Sequence, residues 1–290
     1  MKSNIIIIAP DPITQNRLSG HFEDSGFKPV VIERTRVVPQ QQLIITQDAV
    51  KYCGEDLLQN TAAAIVLDSG YMWPQPAAVP TEEQWSRYAG NLDEYLRNER
   101  EAASFWYSFL EILNDCLPVC INPQEAYTTE AFKPWALEAL SHRGIPTASF
   151  IAGNNRQKIA EFLEQNPGQV LSLPVSSDQG SRWVSAKDIV SREGPVYLQA
   201  FSTKLSASVL AVNGKAIHVE PERFDIDEIA HQISEIQSAV NMPLAELVFR
   251  RSDQLVLSDF RVSPDLNKYA DETFSRALNE VLGVIKKAGK

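Results

Sequence analysis

Apolar and polar positions along the chain fall into short unbroken apolar runs and longer stretches of helical period. Ile5 to Ile8 are four consecutive β-branched residues that close on Pro10-Asp11-Pro12. A run apolar on both faces predicts a buried parallel strand. Asp11-Pro12 reads as a helix N-cap and first helical position, with Ile13, Leu18 and Phe22 following and Gly26 as the stop. PVVIE (29–33) and AAAIVLD (62–68) predict two more strands, the latter ending in Asp68-Ser69-Gly70. Strand, helix, strand spacing gives an α/β lobe of doubly wound type. Residues 71–80 carry three prolines and no period, which predicts a loop, and TEEQ at 81–84 is a capping box. Behind it Trp85, Tyr88, Leu92, Leu96, Phe105, Trp106, Phe109, Leu110 and Leu113 recur at three- and four-residue steps, the stripe of an amphipathic helix. Such a stripe more often faces a core than lines a ligand cleft. PVCINP (118–123) predicts a short strand that ends this lobe.

The later pattern is of a different kind. A helix is predicted over 129–143, with Phe132, Trp135, Ala136, Ala139 and Leu140 on one face and Gly144 after its end. ASFIAG (148–153) is a strand, and Asn155 to Gln165 a helix stopped by Asn166-Pro167. QVLSLPV (169–175) and RWVSA (182–186) read as strands around the loop SSDQGS. VYLQAFS (196–202) is another strand, and SVLAVNGKAIHVE (208–220) a hairpin on Asn213-Gly214. Asp225 with Glu228 opens a helix carrying Ile226, Ile229, Ile233, Ile236 and Val240. LAELVFR (244–250) and QLVLSDF (254–260) form a further hairpin, and Asp271 to Lys287 a closing helix.

Length and charge narrow the function. A chain of 290 residues is past the size at which one core usually keeps growing, so two or three lobes are expected. A net charge of −10 argues against binding a nucleic-acid backbone, which needs a basic footprint. Cys53, Cys116 and Cys120 make no C-x-x-C pair. So sparse a count fits a reducing compartment, and packing suits Cys116 and Cys120 better than a shared metal. The run IIIIAP is too short for a signal h-region or a membrane span, so a cytoplasmic protein with no membrane role is expected. There is no G-x-G-x-x-G after a strand, no G-x-x-x-x-G-K-[ST] and no G-x-S-x-G elbow. His21, His142, His218 and His231 are scattered, and His142 reads as a surface residue at a helix end.

The order of the later elements carries a resemblance. A helix led by Lys133 runs to HRGIPTASF (142–150); then come strand-loop-strand, a strand with Gln199, the Asn-Gly hairpin, a helix, and a hairpin carrying Glu246 and Asp259 ahead of Ser263-Pro264. This resembles the ATP-grasp superfamily, most closely its glutamate-ligase and ribosomal-peptide-maturase branch. There "N-P-x-x-A…K…L…G-I-P" opens the central lobe, as Asn122, Pro123, Ala126, Lys133, Leu140, Gly144, Ile145 and Pro146 do here. The stretch NEREAASFWYSFLEIL (98–113) resembles the helix before that motif in peptide maturases. The resemblance implies an α/β (α+β) ATP-grasp-like fold: an N-terminal doubly wound parallel-sheet lobe at 1–123, then two α+β lobes at 124–195 and 196–290. It also implies an activity in which ATP phosphorylates a carboxylate and an amine displaces the acyl phosphate. Such chemistry needs cations around the phosphates and oxygen ligands for Mg²⁺.

By the resemblance, Lys133 matches the first phosphate-contacting lysine. The second, in a Lys-Pro context, is replaced at Leu173-Pro174. The phosphate loop SSDQGS (176–181) has one glycine, Gly180, and an unwelcome Asp178. The adenine hinge Gln-Glu-Phe becomes Gln199-Ala200-Phe201, which keeps backbone contacts and loses the acid. The Asp-x-Arg before the hairpin becomes Ser206-Ala207-Ser208. Glu246 takes the place of the first metal acid, and Asp259 with Arg261 that of the Glu-x-Asn pair. If ATP and Mg²⁺ are held, Lys133, Gln199 and Phe201 would face the nucleotide, and Glu246 and Asp259 the metal. Leu173, Ala200, Ser206, Ser208 and Arg261 are not what the reaction needs.

Two readings follow. In the first, the chain is a pseudo-enzyme whose cleft binds a peptide, a small ligand or a partner enzyme in a homo- or hetero-oligomer. In the second, it is a divergent active carboxylate–amine ligase in which Arg261, Arg250 or Arg251 replaces the missing lysine. The plainest alternative for Glu246 and Asp259 is ion pairing with those same arginines. The first reading expects the Arg261 guanidinium within salt-bridge reach of Asp259 or Glu246.

Overall fold

The parallel strands of the first lobe form where the β-branched runs predict them. The structure, a computed structural model, describes residues 2–33, 43–68, 91–173, 182–184, 189, 194–201, 205–221, 227–251 and 254–288. The expected loop at 71–80, the capping box at 81–84, Trp85, Tyr88, the loop 176–181 with Asp178 and Gly180, Asp225 and Ile226 lie outside these. The chain divides into two compact units: Met1–Tyr127 with Leu266–Lys268 and Leu282–Lys290, and Thr128–Asp265 with Tyr269–Val281.

In the first unit, β1 (Asn4–Ile8), β2 (Lys28–Val31), β6 (Thr61–Val66) and β7 (Cys120–Ile121) form a parallel sheet in the order β2-β1-β6-β7. Ile5, Ile6, Ile7 and Ile8 are buried, as strands covered on both faces require. Helix α1 (Pro12–Asp24) is capped by Asp11, whose carboxylate accepts from the Ile13 and Thr14 amides at 2.9 Å. Its buried face is Thr14, Gln15, Leu18 and Phe22, while Ile13 points to solvent. A small antiparallel sheet, β3 (Leu43–Ile45), β4 (Val50–Tyr52) and β5 (Glu55–Asp56), is absent from the sequence reading. Strands of two or three residues are too short to show a period. Helix α2 (Leu92–Cys116) buries Trp106, Phe109, Leu110 and Leu113 and leaves Phe105 partly exposed. The free Cys116 is exposed, and burial pushes the Cys120 thiol up to about 12.

The helix expected over 129–143 is two helices, α3 (Gln124–Ala131) and α4 (Lys133–His142). Pro134 explains the break: it has no N–H for a bond back to residue 130 and it disfavours helical backbone just before it. It sits comfortably in the first turn of α4 instead. The break rotates the apolar face. Phe132 and Trp135 are 50% and 60% exposed, and the buried stripe is Lys133, Ala136, Leu137 and Leu140. A lysine therefore stands on the core-facing side of α4.

The second unit holds two antiparallel four-stranded sheets. One has the order β10-β9-β11-β8, from β8 (Ser149–Gly153), β9 (Val170–Leu173), β10 (Arg182–Val184) and β11 (Val196–Ala200). Helix α5 (Arg156–Gln165), capped by Asn155, packs Ile159 and Leu163 with Val170, Val196 and Leu198 of that sheet. The other has the order β13-β12-β14-β15, from β12 (Ser206–Val212), β13 (Lys215–Glu220), β14 (Leu244–Arg251) and β15 (Leu255–Arg261). Asn213 and Gly214 both take positive φ, 48° and 78°, the I′ turn that an Asn-Gly pair favours. A Cβ on Gly214 would also meet the Ser234 hydroxyl at 3.0 Å. Helix α6 (Asp227–Val240) is tied to this turn by Gln237. The Gln237 Oε1 accepts from the Gly214 amide at 2.6 Å, and its Nε2 donates to the Ala211 and Met242 carbonyls at 3.2 and 2.7 Å. Helix α7 (Asp271–Ala288) closes the chain.

Gln237→Leu removes both ends of this clamp and leaves one amide and two carbonyls without their partner. Urea unfolding is expected to show a loss of ~1–3 kcal/mol; an unchanged midpoint would remove the clamp from the account.

Candidate functional site

The β14–β15 hairpin sets the site through one irregularity. Val248 pairs with Asp259, but Phe249 pairs with Leu257, so Ser258 is an extra residue in β15. Directly opposed residues of neighbouring strands share a face. One row across the sheet is therefore Ser208, Val248 and Asp259, and the next is Leu210, Glu246 and Arg261. Ser206 stands opposite Arg250 in a third row. Both acids picked out in the sequence thus lie on one face, in adjacent rows.

Cations meet both of them. The Lys133 ammonium, carried in by the buried stripe of α4, lies 2.5 Å from the Asp259 Oδ1, with only 5% and 14% of the two side chains exposed. The same oxygen accepts from the Phe260 amide at 2.9 Å. The Arg261 Nη1, on a half-exposed side chain, lies 3.8 Å from Glu246 Oε2. The Ser208 hydroxyl donates to the Glu246 Oε1. Glu130, which the sequence did not single out, joins the cluster: its Oε2 accepts from the Val262 amide at 3.1 Å. Burial pushes its carboxyl up to about 7, with Lys133 pulling the other way. The signal was there, an acid three residues before the lysine, but the helix break hid their common side.

The hinge residues are bound into the fold. Gln199 is fully buried; its Nε2 donates to the Ser258 carbonyl at 2.8 Å and to the Tyr197 hydroxyl at 2.6 Å, and its Oε1 accepts from the Ser258 hydroxyl at 3.1 Å. It fastens β11 to the bulge of β15. The Phe201 amide donates to the Gln169 carbonyl at 3.0 Å. The Arg250 guanidinium lies over the Phe201 ring, 5.4 Å from its centroid. Burial works against the charge of Arg250 and Asp259 works for it. Leu173 and Ala200 are buried in the core, and Ser206 is partly exposed.

No protein-family model matches the chain, and no curated protein does. Solved structures match it from end to end. The ATP-grasp ligase PsnB, complexed with precursor peptide PsnA2 and AMPPNP, aligns over 99% of this chain and 99% of its own with a TM-score of 0.77 at 15% identity. The chain has the ATP-grasp fold. Macrocyclase MdnC from Microcystis aeruginosa, bound with precursor peptide MdnA, aligns over 97% of this chain and 100% of its own, with a TM-score of 0.72 at 12% identity. A Chryseobacterium gregarium RiPP-associated ATP-grasp ligase, in complex with ADP and a leader and core peptide, covers 98% and 97% with a TM-score of 0.68 at 10% identity.

An ATP-grasp fold implies Mg²⁺ and ATP, and the residues present do not fit the metal. A hard divalent cation needs several oxygen ligands. Here one oxygen of Asp259 holds an ammonium, Glu246 has a guanidinium and a hydroxyl beside it, and Arg261 can only donate. Among the described residues no group of three or more His, Cys, Asp or Glu side chains is placed to hold a metal ion.

Removing one partner of the buried pair strands the other charge. Lys133→Met alone is expected to cost ~3–5 kcal/mol, and Lys133→Met with Asp259→Leu far less than the two single changes summed. Additive losses in urea unfolding would contradict a coupled pair. Glu130 gives a pH signature. Its folded value of about 7 lies above the ordinary 4.5, so the folded chain holds this proton more tightly. Its contribution to stability is full below about 4.5 and is lost as pH rises to about 7. Glu130→Gln is expected to flatten that decline and to stabilise the chain at alkaline pH; an unchanged stability–pH profile would contradict it.

Proposed function

We propose that this chain is a catalytically silent ATP-grasp-fold protein that binds a peptide as the companion of an active modification enzyme in a reducing, cytoplasmic setting. The observation that carries the reading is the Lys133–Asp259 pair. The position that would meet phosphate and the position that would meet metal are bonded to each other in a site nearly closed to water. Arg261 on Glu246 supports it independently. The chemistry of amide ligation spreads negative charge over a transferred phosphoryl group and needs cations free to receive it. A lysine already neutralised by a carboxylate supplies little of that field. The reading of a peptide as partner is supported by the similar structures, in which PsnB, MdnC and the Chryseobacterium gregarium ligase are complexed with peptides.

The opposing reading, an active ligase, draws on the grouping of Lys133, Glu246 and Asp259, with Arg250 and Arg261 as replacement cations. Thermal melting separates the two. Millimolar MgATP is expected to leave the melting temperature unchanged. A clear upward shift that Lys133→Ala and Asp259→Ala abolish would overturn the proposal.

A further inference from the structure

Strand β8 lies at the edge of its sheet, and the register shows which of its backbone groups look outward. The Phe201 amide donates to Gln169, on the β9 side of β11. Backbone groups of an antiparallel strand turn alternately to its two neighbours. Tyr197 and Gln199 therefore also turn theirs to β9, while Val196, Leu198 and Ala200 turn theirs to Gly153, Ile151 and Ser149 of β8. That leaves the N–H and C=O groups of Phe150 and Ala152 on the outer side. The residues just before β8 agree. The Pro146 carbonyl accepts from the Leu257 amide at 2.8 Å, and the Ala148 amide donates to the Leu257 carbonyl at 3.2 Å, a lone parallel bridge at Thr147. The next residue of β15 is the bulge Ser258, and the pairing stops there. No backbone group among the described residues takes up the outward groups of Phe150 and Ala152.

Open strand edges invite pairing, and folded proteins guard them with charge, proline or brevity. The other outer strands of the four-stranded sheets are guarded in this way. β2 carries Lys28 and Pro29, β10 Arg182, β13 Lys215 and Glu220, and β15 Asp259 and Arg261, while β7 is two residues long. β8 reads Ser-Phe-Ile-Ala-Gly, with no charge and no proline. Both of its faces are apolar. Phe150 meets the Tyr197 ring edge to face, 5.7 Å between centroids, and Ile151, on the other face, is half-buried against the core that Phe162 of α5 also covers. We propose that an extended peptide segment adds to β8 as a fifth strand. Its backbone pairs with Phe150 and Ala152, and its apolar side chains lie over Phe150 on one face and Ile151 on the other. This rests on the reading of the chain as a peptide binder, and it says where and in what conformation the peptide lies. An edge of five residues buries far less than the ~1,000 Å² that a stable pair of folded chains needs, whereas a flexible segment fits it.

The test is NMR titration of the full chain with acetyl-Lys-Val-Thr-Val-Thr-Val-Lys amide, beside an analogue N-methylated at its five central residues. Saturable shifts and slowed hydrogen exchange at the Phe150 and Ala152 amides are expected with the first peptide and not with the analogue, which keeps the side chains and cannot donate. Ala152→Pro removes one outward N–H and no bond of the β8–β11 ladder, so the strand keeps its place. It is expected to weaken binding about tenfold, one hydrogen bond lost with its acceptor stranded. Equal binding of the N-methylated analogue, or unchanged affinity in the folded Ala152→Pro chain, would overturn the proposal. Saturable shifts confined to other residues would overturn it and leave the peptide reading standing, while no saturable shift anywhere would overturn it and count against that reading too. Shifts at Phe150 and Ala152 that grow with protein concentration alone would assign the edge to a second copy of the chain instead.

Discussion

Lys133 and Asp259 bring opposite charges into a place almost without water, and neither is tolerated there alone. Desolvating an ammonium and a carboxylate costs several kcal/mol each in real proteins, about what their mutual attraction and hydrogen bonds return. The pair is therefore weak as a source of stability and strong as a constraint. It fixes the start of α4 against β15 and orders Asp259 beside the Phe260 amide, while burial holds the proton on Glu130 against the pull of Lys133. Around it the bulge at Ser258 is held by Gln199, whose Nε2 donates to the Ser258 carbonyl and whose Oε1 accepts from the Ser258 hydroxyl.

The same constraint separates the fold from the chemistry usually found on it. By the resemblance, ligase chemistry on this fold would draw on acids of the last hairpin and a lysine at the head of a helix. In this chain Lys133 is paired with Asp259, and Arg261 lies beside Glu246. The Ser208 hydroxyl donates to Glu246. On the reading proposed above, these contacts neutralise from within a face that would otherwise hold a cation.

Much of the fold was legible because its signals are local. The four isoleucines, the Asp11-Pro12 cap, the Asn213-Gly214 turn and the last hairpin each carry their structure in a few residues. The expected reach of Arg261 to Asp259 or Glu246 was legible as far as the pair of candidates, and the register decides for Glu246, which stands directly opposite Arg261 across β14 and β15. What escaped the sequence is set by tertiary geometry. The helix break at Pro134 turned Phe132 and Trp135 outward and Lys133 inward, against the simple periodic reading. That rotation decided the partner of Lys133. The clamps made by Gln237 and Gln199, and the place of Glu130, depend on contacts across many residues and leave no periodic trace.

The central claim is that the chain's own cations close the metal face. Mn²⁺ electron paramagnetic resonance with AMPPNP reads this face directly, since Mn²⁺ takes the oxygen ligands that suit Mg²⁺. The account predicts that the spectrum of equimolar Mn²⁺ and AMPPNP is unchanged when the chain is added in excess. A new protein-bound spectrum that Asp259→Asn abolishes would contradict it.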